Sequence, residues 1–118
     1  MRELVVGIDA GTTRVKALAV DLDGNVLAES ALSTPWQRSG AQAQMDAHEL
    51  MEVVSQVLNS LTHAGGWPAD GHVVGIGVTS MAEAGVLIGP HGEPLAPIIA
   101  FHDPRGRADV VKDAIGKE

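Results

Sequence analysis

The sequence predicts an α/β domain built on a mixed sheet, with three antiparallel strands at the start and a parallel strand after a crossover helix. Its 118 residues are 45% hydrophobic, which is enough for one packed core. Short apolar runs joined by tight turns open the chain, and one helical pattern separates them from a later apolar run. Because a helix between strands forms a crossover connection, the strand after the helix is expected to pair in parallel with the first strand.

The first three strands are indicated by β-branched runs and the turns between them. Glu3 to Asp9 is apolar and ends at the glycine-containing turn 10–13. Val15 to Leu22 forms the second strand. The dipeptide Asp23-Gly24 accepts the positive φ angles of a tight hairpin, so Val26 to Ala31 is expected to return antiparallel to the second strand.

A loop and a helix follow these strands. Ser33 to Met45 contains proline, glycine and several glutamines without a sustained period, which predicts a loop. Asp46 is a preferred N-cap residue, and apolar residues recur at helical spacing from Leu50 to Leu61. The pair Gly65-Gly66 is expected to stop this helix.

The remainder of the chain contains shorter elements. Val73 to Thr79 predicts the parallel strand. Ala84 to Ile88 and Pro97 to Phe101 indicate a pair of short strands around the turn 89–92. Arg107 to Ile115 is compatible with a second helix.

Composition excludes several classes of function. The formal charge is -7, and only 8 residues are Lys or Arg, which argues against nucleic acid and membrane surfaces as partners. The absence of cysteine rules out disulfides, thiolate zinc sites and thiol catalysis. The apolar run near the start is too short for a signal peptide or a membrane span, so a cytoplasmic location is expected.

The main candidate for a chemical site is the turn within the letters GIDAGTT, which Lys16 follows. A strand that ends in Asp and turns through Gly into two Thr residues places amides, hydroxyls and a carboxylate at one edge of the sheet. In this interpretation Gly11 lets the backbone approach phosphate, and Thr12 and Thr13 donate hydrogen bonds. Asp9 binds Mg²⁺, and Lys16 offsets the charge of the phosphate.

A structural role for this turn is the alternative. Asp9 would then cap a local backbone N–H, and the two Thr residues would simply begin the next strand. The turn does not follow the P-loop pattern, and Gly75-Ile76-Gly77 lacks the third glycine and the following helix of a dinucleotide site. The short pattern alone leaves both interpretations open.

The stretch GIDAGTTRVKALAVDLDGNVLAE resembles the start of the FGGY carbohydrate kinases, a family that includes glycerol kinase, xylulokinase and gluconokinase. The strand VVGIGVT, the polar segment Ser80 to Glu83, the phrase GEPLAPIIAF and the run from His102 to Arg105 follow in the order of that family's first domain. The resemblance therefore extends over essentially the whole chain, and this ordered set makes it specific.

The resemblance implies a ribonuclease-H-like, actin-like ATPase fold. It also implies transfer of the γ-phosphoryl group of ATP, with Mg²⁺, to a hydroxyl of a sugar or polyol. On the same basis Thr12, Thr13, Arg14 and Lys16 occupy nucleotide-phosphate positions, and Asp9 lies near the metal.

The resemblance also implies a sugar pocket. Glu83 stands where glycerol kinase has a Glu and xylulokinase a His that touches substrate hydroxyls, although a solvated loop residue is the alternative. Ala82 stands where glycerol kinase has an Arg and xylulokinase a Met, which argues against glycerol as the substrate. Phe101 replaces a Trp of the pocket wall. Asp103 and Arg105 match a phrase of the xylulokinases, and Arg105 is also expected to be solvated or paired with Asp103.

Comparison with the family further implies that residues 1–118 are the N-terminal portion of the first kinase domain. The rest of that domain, its catalytic Asp beyond residue 118, and the ADP-binding second domain are then expected to be missing, and the segment is expected to be inactive alone. One sheet edge is expected to be unpaired, which favours self-association such as a homodimer. Two alternatives stay open: a nucleotide-binding regulatory module of the actin-like superfamily, and a noncatalytic sugar-binding domain.

Overall fold

The computed structural model describes residues 1–105 and contains one helix and two sheets within that range. The elements in chain order are β1 (Arg2–Ala10), β2 (Arg14–Asp21), β3 (Val26–Ser33), β4 (Gln37–Ser39), β5 (Gln42–Met45), α1 (Ala47–Thr62), β6 (Gly71–Ser80) and β7 (Ile98–Ile99). The main sheet has the strand order β3-β2-β1-β6, and the small sheet has the order β4-β5-β7. The helix considered for residues 107–115 lies outside the described residues.

The main sheet is mixed, as the sequence predicts. β1, β2 and β3 pair antiparallel, and β6 pairs parallel with β1. Gly24, with φ at 88°, lies in the turn between β2 and β3, as expected for an Asp-Gly hairpin. Helix α1 connects β3 to β6. Because this connection crosses over the sheet, β6 can run in the same direction as β1 and pair parallel with it.

Helix α1 closes one side of the sheet by packing on β2 and β3. Its side chains Val57 and Leu61 are buried against the sheet. The carboxylate of Asp46 caps its first turn by accepting a hydrogen bond from the His48 N–H at 2.7 Å. The helix ends at Thr62, slightly before the glycine pair that was expected to stop it.

The face of the main sheet toward α1 is here called the covered face. Alternate residues of β1 and β2 point to it, and most are apolar with little or no exposed surface. They are Leu4, Val6, Val15, Ala17 and Ala19. Since successive side chains of a strand point to opposite faces, this alternation fixes which residues lie on the other side.

That other side is here called the open face. It carries Gly7 and Asp9 from β1 and Lys16 and Leu18 from β2, in directly opposed pairs. Leu18 is 37% exposed, in contrast to its buried neighbours in sequence. The open face therefore displays polar groups and glycine, whereas the covered face consists mostly of buried apolar side chains.

Strand β6 forms an edge of the main sheet among residues 1–105. Ile76 and Val78 lie on the side of the covered face, yet they are 61% and 71% exposed. They remain exposed because α1 packs on β2 and β3 rather than on this edge. The prediction of an unpaired, apolar edge agrees with the part of the chain that the structure describes.

The loop predicted for Ser33 to Met45 is wrong in its second half. β4 and β5 form a hairpin there, and Gly40 in its turn has φ at 60°. Only Ala43 and Met45 of β5 are buried, so the strand is too short to show a clear period in sequence.

The predicted pairing of Ala84–Ile88 with Pro97–Phe101 is also wrong. Ile88 forms an isolated bridge with Pro94, and the Leu95 N–H donates to Leu87 O at 2.9 Å. β7 pairs with β5 instead. Proline lacks the N–H that a regular ladder needs, which limits pairing in this proline-containing segment. No helix within residues 1–105 is long and apolar enough to cross a bilayer.

Candidate functional site

The turn between β1 and β2 is the first component of the site. β1 ends directly after Asp9, whose side chain is exposed on the open face. The Gly11 N–H donates to Arg14 O at 3.0 Å and closes the turn. Asp9 therefore points away from the protein interior, as a ligand-binding role requires.

Gly11 is required by close packing within the turn. A Cβ at this position would lie 2.9 Å from Arg14 O, which is closer than real Cβ contacts allow. The same Cβ would lie 3.7 Å from each carboxylate oxygen of Asp9. The carboxylate thus flanks the backbone of the turn, so a group bound at the turn would also meet Asp9.

The carbonyl groups of residues 11–13 all accept hydrogen bonds from the segment that follows β3. The Thr34 hydroxyl donates to Gly11 O at 2.7 Å, and the Trp36 indole N–H donates to Thr12 O at 2.6 Å. The Thr34 N–H donates to Thr13 O at 3.0 Å. Within residues 1–105 the amides of Thr12 and Thr13 donate to no backbone acceptor, so these two amides remain available to a ligand.

Two charged side chains and a hydroxyl lie beside the turn on the open face. Lys16 lies opposite Asp9 on β2, and Thr79 lies beside Asp9 on β6. Neither Asp9 nor Lys16 forms an ion pair within the described part of the chain. With Gly7 and Leu18 behind them, these residues line a groove of about 460 Å³ on the open face.

These donors fit a metal–phosphate complex better than a metal alone. Residues 1–105 contain no cluster of three His, Cys, Asp or Glu side chains that could hold a metal ion. Mg²⁺ is commonly held by one or two carboxylates together with phosphate oxygens and water. A single carboxylate beside two unoccupied amides and a lysine matches that pattern.

The segment after β6 forms the second component of the site. The Met81 N–H donates to Ala10 O at 3.0 Å, which ties this segment to the start of the turn. Ala82 and Glu83 are exposed. Glu83 has φ at 57°, a left-handed conformation that non-glycine residues rarely adopt and that often marks functional sites. Because β1 and β6 are parallel, their C-terminal ends lie side by side, and Asp9 and Glu83 lie at this same end of the sheet.

The third component is the segment after β7. Phe101 is 59% exposed, and its ring meets the His102 ring edge to face at a centroid distance of 5.4 Å. An exposed aromatic ring can serve as a pocket wall. The structure therefore leaves Phe101 accessible, as the sequence-based role in a sugar pocket requires.

Asp103 is placed differently. Its carboxylate has no exposed surface and accepts 2.8 Å hydrogen bonds from the Ala43 N–H, the Arg105 N–H and the Arg105 guanidinium. The bond from the Arg105 side chain, above all, holds the pKa of Asp103 far below its usual range. The expected pairing with Arg105 is present. Contact between Asp103 and a substrate would require this segment to move.

Thr34 and Trp36 were missed by sequence analysis. Pairing of β2 with β3 places Ser33 opposite Arg14, so the residues after β3 must run beside the turn. The Asp-Gly hairpin contained most of this signal, since counting the register outward from Asp21 and Asn25 brings residue 14 opposite residue 32. The bulge between Ala19 and Val20 then shifts the partner by one residue, to 33. Hydrogen-bonding side chains directly after that point could have been considered as supports for the turn.

The chain also matches a protein-family model. The N-terminal domain of the FGGY family of carbohydrate kinases matches residues 4–114. The chain is 31% identical over 107 residues to a xylulose kinase of Staphylococcus epidermidis, covering 89% of this chain and 21% of that protein. It is also 31% identical over 109 residues to an apulose kinase of Pectobacterium atrosepticum, covering 86% of this chain and 20% of the relative.

Solved structures show the same fold. The xylulose kinase of Rhodospirillum rubrum superposes with a TM-score of 0.82 at 29% identity, covering 96% of this chain and 23% of that one. A gluconate kinase of Lactobacillus acidophilus gives a TM-score of 0.82 at 24% identity, over 99% of this chain and 23% of that structure. The predicted actin-like mixed sheet is confirmed. The chain spans about a fifth of the length of the curated relatives that it matches.

Proposed function

We propose that this chain, which belongs to the FGGY family of carbohydrate kinases, supplies the phosphate-binding turn of an enzyme that phosphorylates a sugar or polyol with ATP. The observation that carries the proposal is the exposed Asp9 carboxylate beside the two unoccupied amides of Thr12 and Thr13. Backbone amides, hydroxyls and a carboxylate that converge on one edge suit a metal-bound polyphosphate.

Each residue of the turn has a distinct role in this proposal. The amides and hydroxyls of Thr12 and Thr13 would bind phosphate oxygens, and Arg14 and Lys16 would balance their charge. Asp9 would hold Mg²⁺ directly or through water. The ion supplies charge neutralisation on the phosphates when it is bound. The protein contributes positioning, because the turn is already closed by its own hydrogen bonds.

The substrate side of the proposal rests on the segment that Met81 ties to the turn. Glu83 would accept hydrogen bonds from substrate hydroxyls, Ala82 would leave room beside it, and Phe101 would form an apolar wall. The relatives named xylulose kinase and apulose kinase make these two sugars the first to test.

We further propose that residues 1–118 form part of the first kinase domain, and that the general base and most of the adenine site come from other parts of the full-length protein. The relatives are roughly five times as long as the matched region. Phosphoryl transfer requires a group that accepts the proton of the attacking hydroxyl. The isolated 118-residue chain is therefore expected to release no ADP in a coupled assay with any sugar.

Binding of Mg·ATP to the isolated chain tests the proposal directly. Asp9→Asn removes the metal-binding charge at nearly constant shape, and we expect it to weaken Mg·ATP binding by about tenfold or more. Glu29→Gln is the matched control, because Glu29 is an exposed carboxylate of β3 opposite Leu18 on the open face. Isothermal titration calorimetry should show the control within about twofold of the unsubstituted chain.

Equal affinity of Asp9→Asn and the unsubstituted chain would contradict the proposal. A thermal shift with Mg·ATP that sugars leave unchanged would favour the regulatory nucleotide-binding module. A shift with sugars alone would favour the noncatalytic sugar-binding domain. These three results separate the alternatives, because the proposed kinase site predicts an Asp9-dependent response to nucleotide.

A further inference from the structure

The carbonyl groups of residues 11–13, in the phosphate-binding turn, all accept hydrogen bonds from the residues that follow β3. Gly11 O and Thr13 O both accept from Thr34, through its hydroxyl and its backbone N–H respectively. Thr12 O accepts from the indole of Trp36. Each carbonyl of the three-residue turn therefore has a donor within the protein.

The direction of these bonds determines where the amides point. In a planar trans peptide the C=O of one residue and the N–H of the next point in opposite directions. A bond to Gly11 O consequently turns the Thr12 N–H away from Thr34, and a bond to Thr12 O turns the Thr13 N–H away from Trp36. The two donors thus select the peptide orientation that presents both amides to a ligand.

The donors are themselves held in place. Thr34 is only 7% exposed and directly follows β3. The Trp36 N–H donates to Thr34 O at 2.8 Å, and Pro35 between them restricts the backbone. Thr34 and Trp36 therefore form a compact unit, here called the carbonyl clamp.

We propose that the carbonyl clamp is a positioning device for nucleotide phosphate: Thr34 and Trp36 hold the peptide planes of the turn so that the Thr12 and Thr13 amides face the ligand. This role rests on the proposed phosphate function of the turn. In this role the clamp would act through the turn and would itself bind neither phosphate nor sugar. Its loss should weaken phosphate binding because the turn then samples peptide orientations in which the amides point inward.

Three substitutions in the 118-residue chain test the clamp, and two further substitutions serve as matched controls. Thr34→Val removes the hydroxyl at constant shape, and Thr34→Ser restores it. Trp36→Phe removes the indole donor. Thr62→Val serves as the control for threonine, because the exposed Thr62 hydroxyl donates within α1 to Asn59 O.

Trp67→Phe serves as the control for tryptophan, since the chain contains only these two tryptophans. It also leaves Trp36 as the only indole, so Trp36 fluorescence reports on the turn. Titration with Mg·ATP, together with the amide NMR resonances of Thr12 and Thr13, measures affinity and amide orientation in the same samples.

We expect Thr34→Val and Trp36→Phe to weaken Mg·ATP binding by about three- to tenfold and to shift the Thr12 and Thr13 amide resonances before nucleotide is added. Thr34→Ser and both control variants should bind within about twofold of the unsubstituted chain. A purely structural role would lower the unfolding temperature of Thr34→Val without this pattern in affinity and resonances. If Thr34→Val does not fold, the Mg·ATP affinity and amide resonances of Trp36→Phe are compared with those of Trp67→Phe instead.

Two failures can be told apart. If the unsubstituted chain binds Mg·ATP in an Asp9-dependent way while Thr34→Val and Trp36→Phe bind equally well with unchanged resonances, the clamp is overturned and the proposed function stands. If neither this chain nor the full-length protein that contains it binds Mg·ATP in an Asp9-dependent way, the proposed function fails, and the positioning role fails with it.

Discussion

The two faces of the main sheet differ in what their residues do. The covered face places Val6, Val15 and Ala17 under α1, where each is at most 3% exposed. The open face places Asp9 opposite Lys16, one row from the glycine and leucine that line the groove. The same two strands thus provide packing on one side and carry the proposed binding groups on the other. The proposed site lies on the side where burial places no demand on the residue type.

Substitution of matched leucines is the strongest test of this comparison. Leu61→Ala removes a fully buried side chain under the covered face and should lower the free energy of unfolding by about 2–5 kcal/mol. Leu18→Ala on the open face should cost about 1 kcal/mol or less, because Leu18 is 37% exposed. Urea denaturation followed by circular dichroism measures both. Equal losses would show that the open face is packed in solution.

Substitution of matched glycines is expected to have the next largest effect. A Cβ at Gly66 would overlap Leu27 O, so Gly66→Ala should lower the free energy of unfolding by about 1–3 kcal/mol. A Cβ at Gly77, on the open face, meets nothing within 4 Å. Gly77→Ala should be neutral or stabilise by up to about 1 kcal/mol, because alanine restricts the unfolded chain. A large loss for Gly77→Ala would contradict the openness of this face.

Acid sensitivity of Asp21 gives the smallest of these effects. Asp21 lies at the covered face opposite Leu4, and hydrogen bonds, first from the Asn25 N–H and then from the Asn25 side chain, lower its pKa to about 2. Because this pKa is lower in the folded state, the carboxylate stabilises the fold fully above about pH 4 and loses that contribution as pH falls toward 2.

The corresponding experiment compares unfolding temperatures between pH 5 and pH 2. The unsubstituted chain should lose more stability over this range than Asp21→Asn, which cannot titrate. Asn25→Ala, which removes the side-chain donor, should shift the acid transition toward higher pH. An identical pH profile for Asp21→Asn and the unsubstituted chain would show that Asp21 contributes nothing to the acid response.

The covered face and the helix could be predicted because their signals are local. Asp23-Gly24 specified the hairpin of β2 and β3, and the helical spacing from Leu50 to Leu61 specified α1. The positions of Asp9 and Gly11 at the sheet edge followed from the same local pattern. Chain direction then followed from the crossover, which made β6 parallel to β1.

The small sheet could not be predicted, because contacts between distant residues hold it together. β5 has only two buried side chains, and its Ala43 N–H donates to Asp103, which lies 60 residues later. Such a contact leaves no periodic pattern in the strand itself. The carbonyl clamp escaped prediction for a similar reason, since Thr34 and Trp36 contact a turn more than 20 residues earlier.

Parallel pairing of β1 with β6 also has a kinetic consequence. Asp9 neighbours Thr79, and the backbone bond from Met81 to Ala10 spans a comparable length of chain. Contacts between such distant residues require closure of a long loop and form late compared with local hairpins. During folding, the β1–β2–β3 meander can form first, and the segment with Ala82 and Glu83 joins it only when β6 docks. Substitutions along β6 should therefore slow the folding step that completes the proposed site more than substitutions in the β2–β3 hairpin do.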